Sequence, residues 1–161
     1  MNDENYEVYY NSMIEAFVDK PSETLWYQNA FSKFNINGVD KLTWHWSWWA
    51  FGGGAAFLLY RKQYMAALIL FTGSMILGMI PFVSIIIMIL AGGYSTYFVY
   101  KGFQRKLAEI EATVDTNEKR IETMREVGGY HTWVIWVYAV LSFVIIMYIS
   151  SIVLLMISQM S

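Results

Sequence analysis

The sequence predicts an all-α integral membrane protein: three transmembrane helices, an aromatic-rich interfacial or re-entrant segment, and cytoplasmic amphipathic helices. Three observations carry this prediction. First, 57% of the 161 residues are apolar and only 15% are charged, where a soluble domain carries about a quarter charged residues; the mean hydropathy is +0.37. Second, no Asp, Glu, Lys or Arg occurs between Gln63 and Tyr100, or between Val127 and Ser161. Charge-free apolar runs of that length exclude an ordinary soluble enzyme or nucleic-acid-binding domain. Third, four tryptophans fall within six residues, Trp44, Trp46, Trp48 and Trp49, and indole rings favour the membrane–water boundary.

Residues 1–41 form a cytoplasmic amphipathic N-terminal region. The acidic start (Asp3, Glu4, Glu7, Glu15, Asp19) has no basic n-region and no continuous apolar core, so no secretory signal is expected. Tyr6, Val8 or Tyr9, Met13 and Phe17 recur at helical spacing and predict a short helix ending near Asp19. Lys20-Pro21-Ser22 breaks the chain, and Pro21 suits the first turn of a second helix. Leu25, Trp26, Ala30, Phe31 and Phe34 would share one side of that helix. Asn35-Ile36-Asn37-Gly38 would end it in a turn.

Residues 42–62 are the aromatic and Gly-rich segment. Gly52-Gly53-Gly54 weakens a helix, so a short, shallow or re-entrant passage suits these residues better than a full crossing. Residues 63–100 are expected to form a transmembrane hairpin. The 37 uncharged residues from Tyr64 to Tyr100 would make one helix ~55 Å long, against a hydrocarbon core of ~30 Å. The bend belongs at Gly78 and Pro81. Ser74 and Gly78, Ala91 and Ser95, and Gly92 and Thr96 are small-xxx-small pairs that permit close helix approach.

Residues 101–129 are the charged cytoplasmic helical segment, with six basic and six acidic side chains. Phe103, Leu107, Ile110, Val114, Asn117, Ile121 and Met124 alternate at four and three residues, a heptad seam nearly three repeats long. One kinked helix and two short helices both fit, with Asp115 and Glu118 as a candidate capping pair. The seam from Leu107 to Met124 is the candidate surface for self-association or a partner protein, or for lying on residues 1–43. Gly128-Gly129 stops it. Residues 130–161 hold the C-terminal transmembrane helix, with Trp133, Trp136 and Tyr138 clustered at its start.

Arg61 and Lys62 flank one end of the hairpin, and Lys101, Arg105 and Lys106 the other. Basic residues near span ends stay cytoplasmic. This puts residues 1–41 and 101–129 in the cytoplasm and the C-terminus outside. Tyr60, Arg61, Lys62 and Tyr64 are candidates for gripping anionic headgroups, with the four tryptophans beside them as lipid or partner contacts; simple anchoring is the plainer alternative. His45 and His131 are the only histidines and the chain has no Cys, so no metal site, cofactor or catalytic residue is expected. No ionisable side chain lies inside the spans, and no catalytic motif appears, so an enzyme is not expected.

Ser47-Trp48-Trp49-Ala50-Phe51, a small-residue run and Leu58-Leu59-Tyr60-Arg61-Lys62-Gln63-Tyr64 resemble the signature of a family of small bacterial inner-membrane proteins catalogued as a domain of unknown function. Tyr97-Phe98-Val99-Tyr100-Lys101, a charged segment and Gly128-Gly129 before a last span are similar features. The resemblance covers roughly residues 34–133. It implies a bacterial inner-membrane location and brings no activity with it. Members often carry Pro or bulky apolar residues where this chain has Gly53 to Ala56. The expected role is a non-catalytic subunit or scaffold that associates with itself or a larger membrane complex. The alternative is a lipid-handling or transport-accessory protein.

Overall fold

The computed structural model describes residues 3–36 and 38–160. The chain is mostly helical: α1 (Asp3–Val18), α2 (Pro21–Phe34), α3 (Trp48–Gly53), α4 (Ala55–Tyr60), α5 (Tyr64–Leu77), α6 (Val83–Thr113), α7 (Asn117–Val127) and α8 (Thr132–Met160). It divides into two units, residues 1–130 and residues 131–161.

Within the first unit, α1 ends where the periodicity places its end. Asp19 takes a left-handed backbone (φ 49°) and Pro21 opens α2. The buried faces match those expected in part. In α1, Tyr9, Met13 and Phe17 are buried as expected, joined by Ile14, Ala16 and Val18, while Tyr6 and Val8 are exposed. In α2, Leu25 and Trp26 face outward, and Thr24, Tyr27, Ala30, Phe31 and Phe34 are buried. A short antiparallel hairpin follows, pairing β1 (Asn35–Ile36) with β2 (Val39–Asp40) where only a turn was expected. Gly38 has φ 78° and donates its N–H to Asn35 Oδ1 at 2.9 Å. The turn expected at Asn37 lies outside the described residues.

The Gly-rich segment is two six-residue helices, α3 and α4, hinged at Gly54 (φ 49°, ψ −121°). Each is ~9 Å long, far short of a ~30 Å crossing. The hairpin bends where expected: α5 ends at Leu77 and α6 begins at Val83, around Pro81 and a left-handed Phe82. The expected boundary at Tyr100 is absent. α6 runs unbroken for 31 residues, ~46 Å, from the apolar bend into the charged segment.

The heptad seam is not one continuous coiled-coil helix. The chain breaks at 114–116 and α7 folds back towards α1 and α6. Leu107, Ile110 and Met124 are buried in the protein's own core, with Val114 and Ile121 packed against it. Asn117, expected in the seam's core, is exposed at the start of α7, and Thr116 rather than Asp115 occupies the cap position. The core is aromatic: Phe17, Phe31, Phe34, Tyr100 and Phe103 meet with ring centroids 5.3–5.5 Å apart. Edge-to-face ring pairs of this kind add about 1 kcal/mol beyond the area they bury.

The surface of α5 and the first turns of α6 is bare and apolar. Met65, Leu68, Ile69, Phe71, Met75, Ile76, Met79, Phe82, Ile85 and Ile86 are all more than half exposed. In the second unit, Val134 is the only buried residue among the described side chains of α8. By length and composition, α6 and the helical stretch ending in α8 are candidate membrane spans; α5 is a shorter apolar helix.

Candidate functional site

Two features of the first unit concentrate the chemistry: a buried cation at the α4–α5 junction, and an aromatic shelf laid across α6. Both grow from local sequence. Arg61 and Lys62 follow the last turn of α4, where the chain must reverse into α5, and Lys62 takes a left-handed backbone (φ 57°). That reversal sends Arg61 inward. Its guanidinium is 2% exposed. It donates to the Val18 carbonyl at the end of α1 (3.0 Å) and to the Glu23 carboxylate in the first turn of α2. It also lies over the Tyr27 ring at 4.5 Å and beside Tyr60 at 5.4 Å and Tyr130 at 5.9 Å. Lys20 reaches the other oxygen of Glu23 at 2.5 Å. Burial pushes the Tyr27 phenol well above its ordinary pKa, so it stays neutral beside the cation.

Arg61 is therefore turned into the core and away from the surface. Its N–H groups are directed at a helix C-terminus and a carboxylate, where a cation meets both the orphan carbonyls and the negative end of the helix dipole. Lys62 does the same at the other end of the sequence, donating to the Gly128 carbonyl that closes α7. Lys106 donates to the neighbouring Val127 carbonyl at 2.5 Å. Gly129 completes the joint, its N–H donating to the Phe17 carbonyl of α1 at 2.8 Å. Of the basic residues that flank the hairpin in sequence, Arg61, Lys62 and Lys106 are clamps on helix ends. Of the expected headgroup set, Tyr60 is half-buried against Tyr130, and Tyr64 is 54% exposed.

The shelf is built from the extended segment before α3. His45 N–H donates to the Gly93 carbonyl (3.0 Å) and Ser47 N–H to the Gly92 carbonyl (2.8 Å), so the strand lies directly on α6. Only glycine permits this approach. A Cβ at Gly92 would stand 2.9 Å from the Trp46 ring, and one at Gly93 would overlap Trp44. Trp44 stacks on Trp46, which meets Trp48 and Phe51 at 5.2 Å. Ser47 caps α3 by accepting from Ala50 N–H at 3.2 Å. Trp48 and Trp49 project outward, 74% and 80% exposed. The four tryptophans thus form one surface, as their clustering implies.

The small-residue pairs divide. Ala91 and Ser95 are buried on the part of α6 that meets α3. Gly78 is the C-cap that closes α5, where an added Cβ would strike the Ser74 carbonyl, and Ser74 donates its hydroxyl to the Phe71 carbonyl at 2.8 Å. Thr96 is fully buried with its hydroxyl unpartnered, and the Gly92 carbonyl four residues before it already accepts from Ser47. His45 sits between Trp26 (4.8 Å) and Phe34 (6.0 Å). Burial, and then the charge of Lys33, hold its pKa below the ordinary imidazole value.

A second polar network closes the β-hairpin on α6. Asp40 accepts from Lys101 (2.7 Å) and from the Tyr100 hydroxyl; Gln104 donates to Tyr100 (3.0 Å) and Tyr10 (2.9 Å). Sequence reasoning missed Glu23, Tyr27, Tyr130, Gly93 and Asp40. Their long-range partners lie 34 to 69 residues away, beyond the reach of any periodic signal. Among the described residues no group of three or more His, Asp or Glu stands close enough to hold a metal. The chain matches no protein-family model, no curated protein and no solved structure.

Proposed function

We propose that this chain is a small, non-catalytic bacterial inner-membrane subunit or scaffold, which packs against itself or a larger membrane complex. One observation carries the reading: a closed aromatic core and a bare apolar surface share one short chain. α8 is apolar and exposed along nearly all of its length, and α5 and the first turns of α6 each leave an apolar face bare. A soluble monomer leaves apolar patches of only a few hundred Å² uncovered. Lipid or a protein partner covers these helices. Three apolar helices, α5, the start of α6 and α8, enter the bilayer, and α8 crosses it. The polar ends of the hairpin, with residues 1–41 and 101–129, stay cytoplasmic, and the C-terminus lies outside. The ionisable groups of the core support a structural role, since Arg61, Lys62 and Lys106 are already committed to helix-end carbonyls.

Crosslinking in native membranes, followed by purification in mild detergent with protein and lipid identified together, tests this. A reproducible crosslinked partner or a second copy of the chain is the expected result. A monomer carrying only bulk lipid would overturn the scaffold role. A lipid-handling role has one supporting feature, the exposed Trp48–Trp49 edge. Arg61 would not lie at the surface of such a site: its side chain is 2% exposed, and its two terminal nitrogens are bonded to Val18 and Glu23.

A further inference from the structure

We propose that the α5–α6 hairpin is a wedge that occupies one leaflet and ends near the bilayer midplane, with lipid acyl chains as its partner. The proposal rests on the membrane reading above and fixes its depth. The aromatic shelf supplies the ruler. Trp44 and Trp46 lie on α6 at Gly93 and Gly92, and tryptophan belts mark the interface. From Val83, where α6 begins, up to Gly93 is ten residues, or ~15 Å of helix. A hydrocarbon core is ~30 Å thick, so ~15 Å is one leaflet. The other arm agrees: α5 has 14 residues, or ~21 Å from end to end. Neither length carries the bend to the far surface.

The bend is chemically suited to stay in hydrocarbon. Gly78-Met79-Ile80-Pro81-Phe82 contains no charged or hydrogen-bonding side chain. Its large side chains point outward, with Met79 87% exposed and Phe82 78%. A bend that emerged into water would present these four apolar side chains to it. Lipid offers no partners to backbone groups, and the bend reduces that need itself. Gly78 N–H bonds Ser74 O (2.9 Å), Ile80 N–H bonds Leu77 O (3.1 Å) and Val83 N–H bonds Ile80 O (3.2 Å). Pro81 has no N–H to satisfy. By contrast α8, with 29 residues, is ~43 Å long and crosses with length to spare.

The chain has no cysteine, so single-cysteine variants test the depth without background. Met79→Cys, Asp115→Cys and Ser158→Cys are each placed in the full chain, in sealed phosphatidylcholine–phosphatidylglycerol vesicles, and exposed to a membrane-impermeant maleimide on either side. The expected result is labelling of position 115 from one side and 158 from the other, with position 79 protected from both until detergent is added. A bimane on position 79 should be quenched most by lipids carrying a nitroxide near the acyl-chain end. Labelling of position 79 from the same side as 158 would overturn the wedge and leave the membrane reading standing, with the hairpin crossing fully. Labelling of all three positions from one side, with the chain released by alkaline carbonate, would overturn both.

Discussion

Arg61 holds its charge inside the protein, and the surroundings show why it is tolerated there. A buried cation is costly unless paired and hydrogen-bonded. Here Glu23, the Val18 carbonyl and the Tyr27 ring face together supply the pairing. Arg61→Met removes the cation, leaves the Val18 carbonyl without its donor and leaves Glu23 with Lys20 alone. Breaking a buried pair from one side costs about 3 kcal/mol, to be read from chemical unfolding in detergent. Arg61→Lys keeps the charge but loses the planar fork and the stacking, so it should fall between the two. A Met variant as stable as the parent would show that the guanidinium holds nothing. Asp40 gives a prediction in pH. The Lys101 ammonium, then the Tyr100 hydroxyl, lower its pKa below 3.8 in the folded chain. A lowered carboxylate pKa contributes stability that is full above the unfolded value and is lost as pH falls through the folded one. Unfolding midpoints followed from pH 6 down to pH 3 should therefore fall less steeply in Asp40→Asn than in the parent.

Among the elements, α7 depends on one glycine. Gly128 has its α-carbon so close to α1 that an added Cβ would stand 2.7 Å from both the Phe17 and Met124 carbonyls, and backbone cannot give way as a flexible side chain can. Gly128→Ala is expected to lift the end of α7 from α1, at the 1–3 kcal/mol typical of overpacking. Limited proteolysis should then cut at residues 127–131, while Gly73→Ala, with open space around it, leaves the pattern unchanged. Such element ends were legible in the sequence because their causes are local: Pro21 opening α2, Pro81 in the hairpin bend, Gly128-Gly129 stopping α7. The apolar seam at Leu107, Ile110 and Met124 was equally legible as a stripe. What it packs against was legible only as one of several alternatives, residues 1–43 beside a partner or a second copy, since periodicity names a buried face without naming its occupant; α7 lies on α1. The face of α2 shows the same limit. Ala30, Phe31 and Phe34 are buried as expected, but Leu25 and Trp26 are exposed, and Tyr27 is buried against Arg61 and Phe31.

At the scale of the whole molecule, composition announced the bare apolar helices, because a charge-free run has few other uses. The site was far less visible. The clustering of the tryptophans could be seen from their own residues. Their seat on Gly92 and Gly93 could not, since Gly92 resembles half of a helix-packing pair with Thr96 until the segment from Lys41 to Ser47 is laid across it. The basic residues were read as surface charges because nothing nearby in sequence needs a cation; the helix ends they serve belong to α1 and α7. Those two clamps also set an order of events during synthesis. The last carbonyls of α1 wait for Arg61 and for Gly129, and Gly129 leaves the ribosome only after the whole of residues 64–100. The first helix is translated first and locked last, so residues 64–100 emerge while the end of α1 still lacks the contacts that close it.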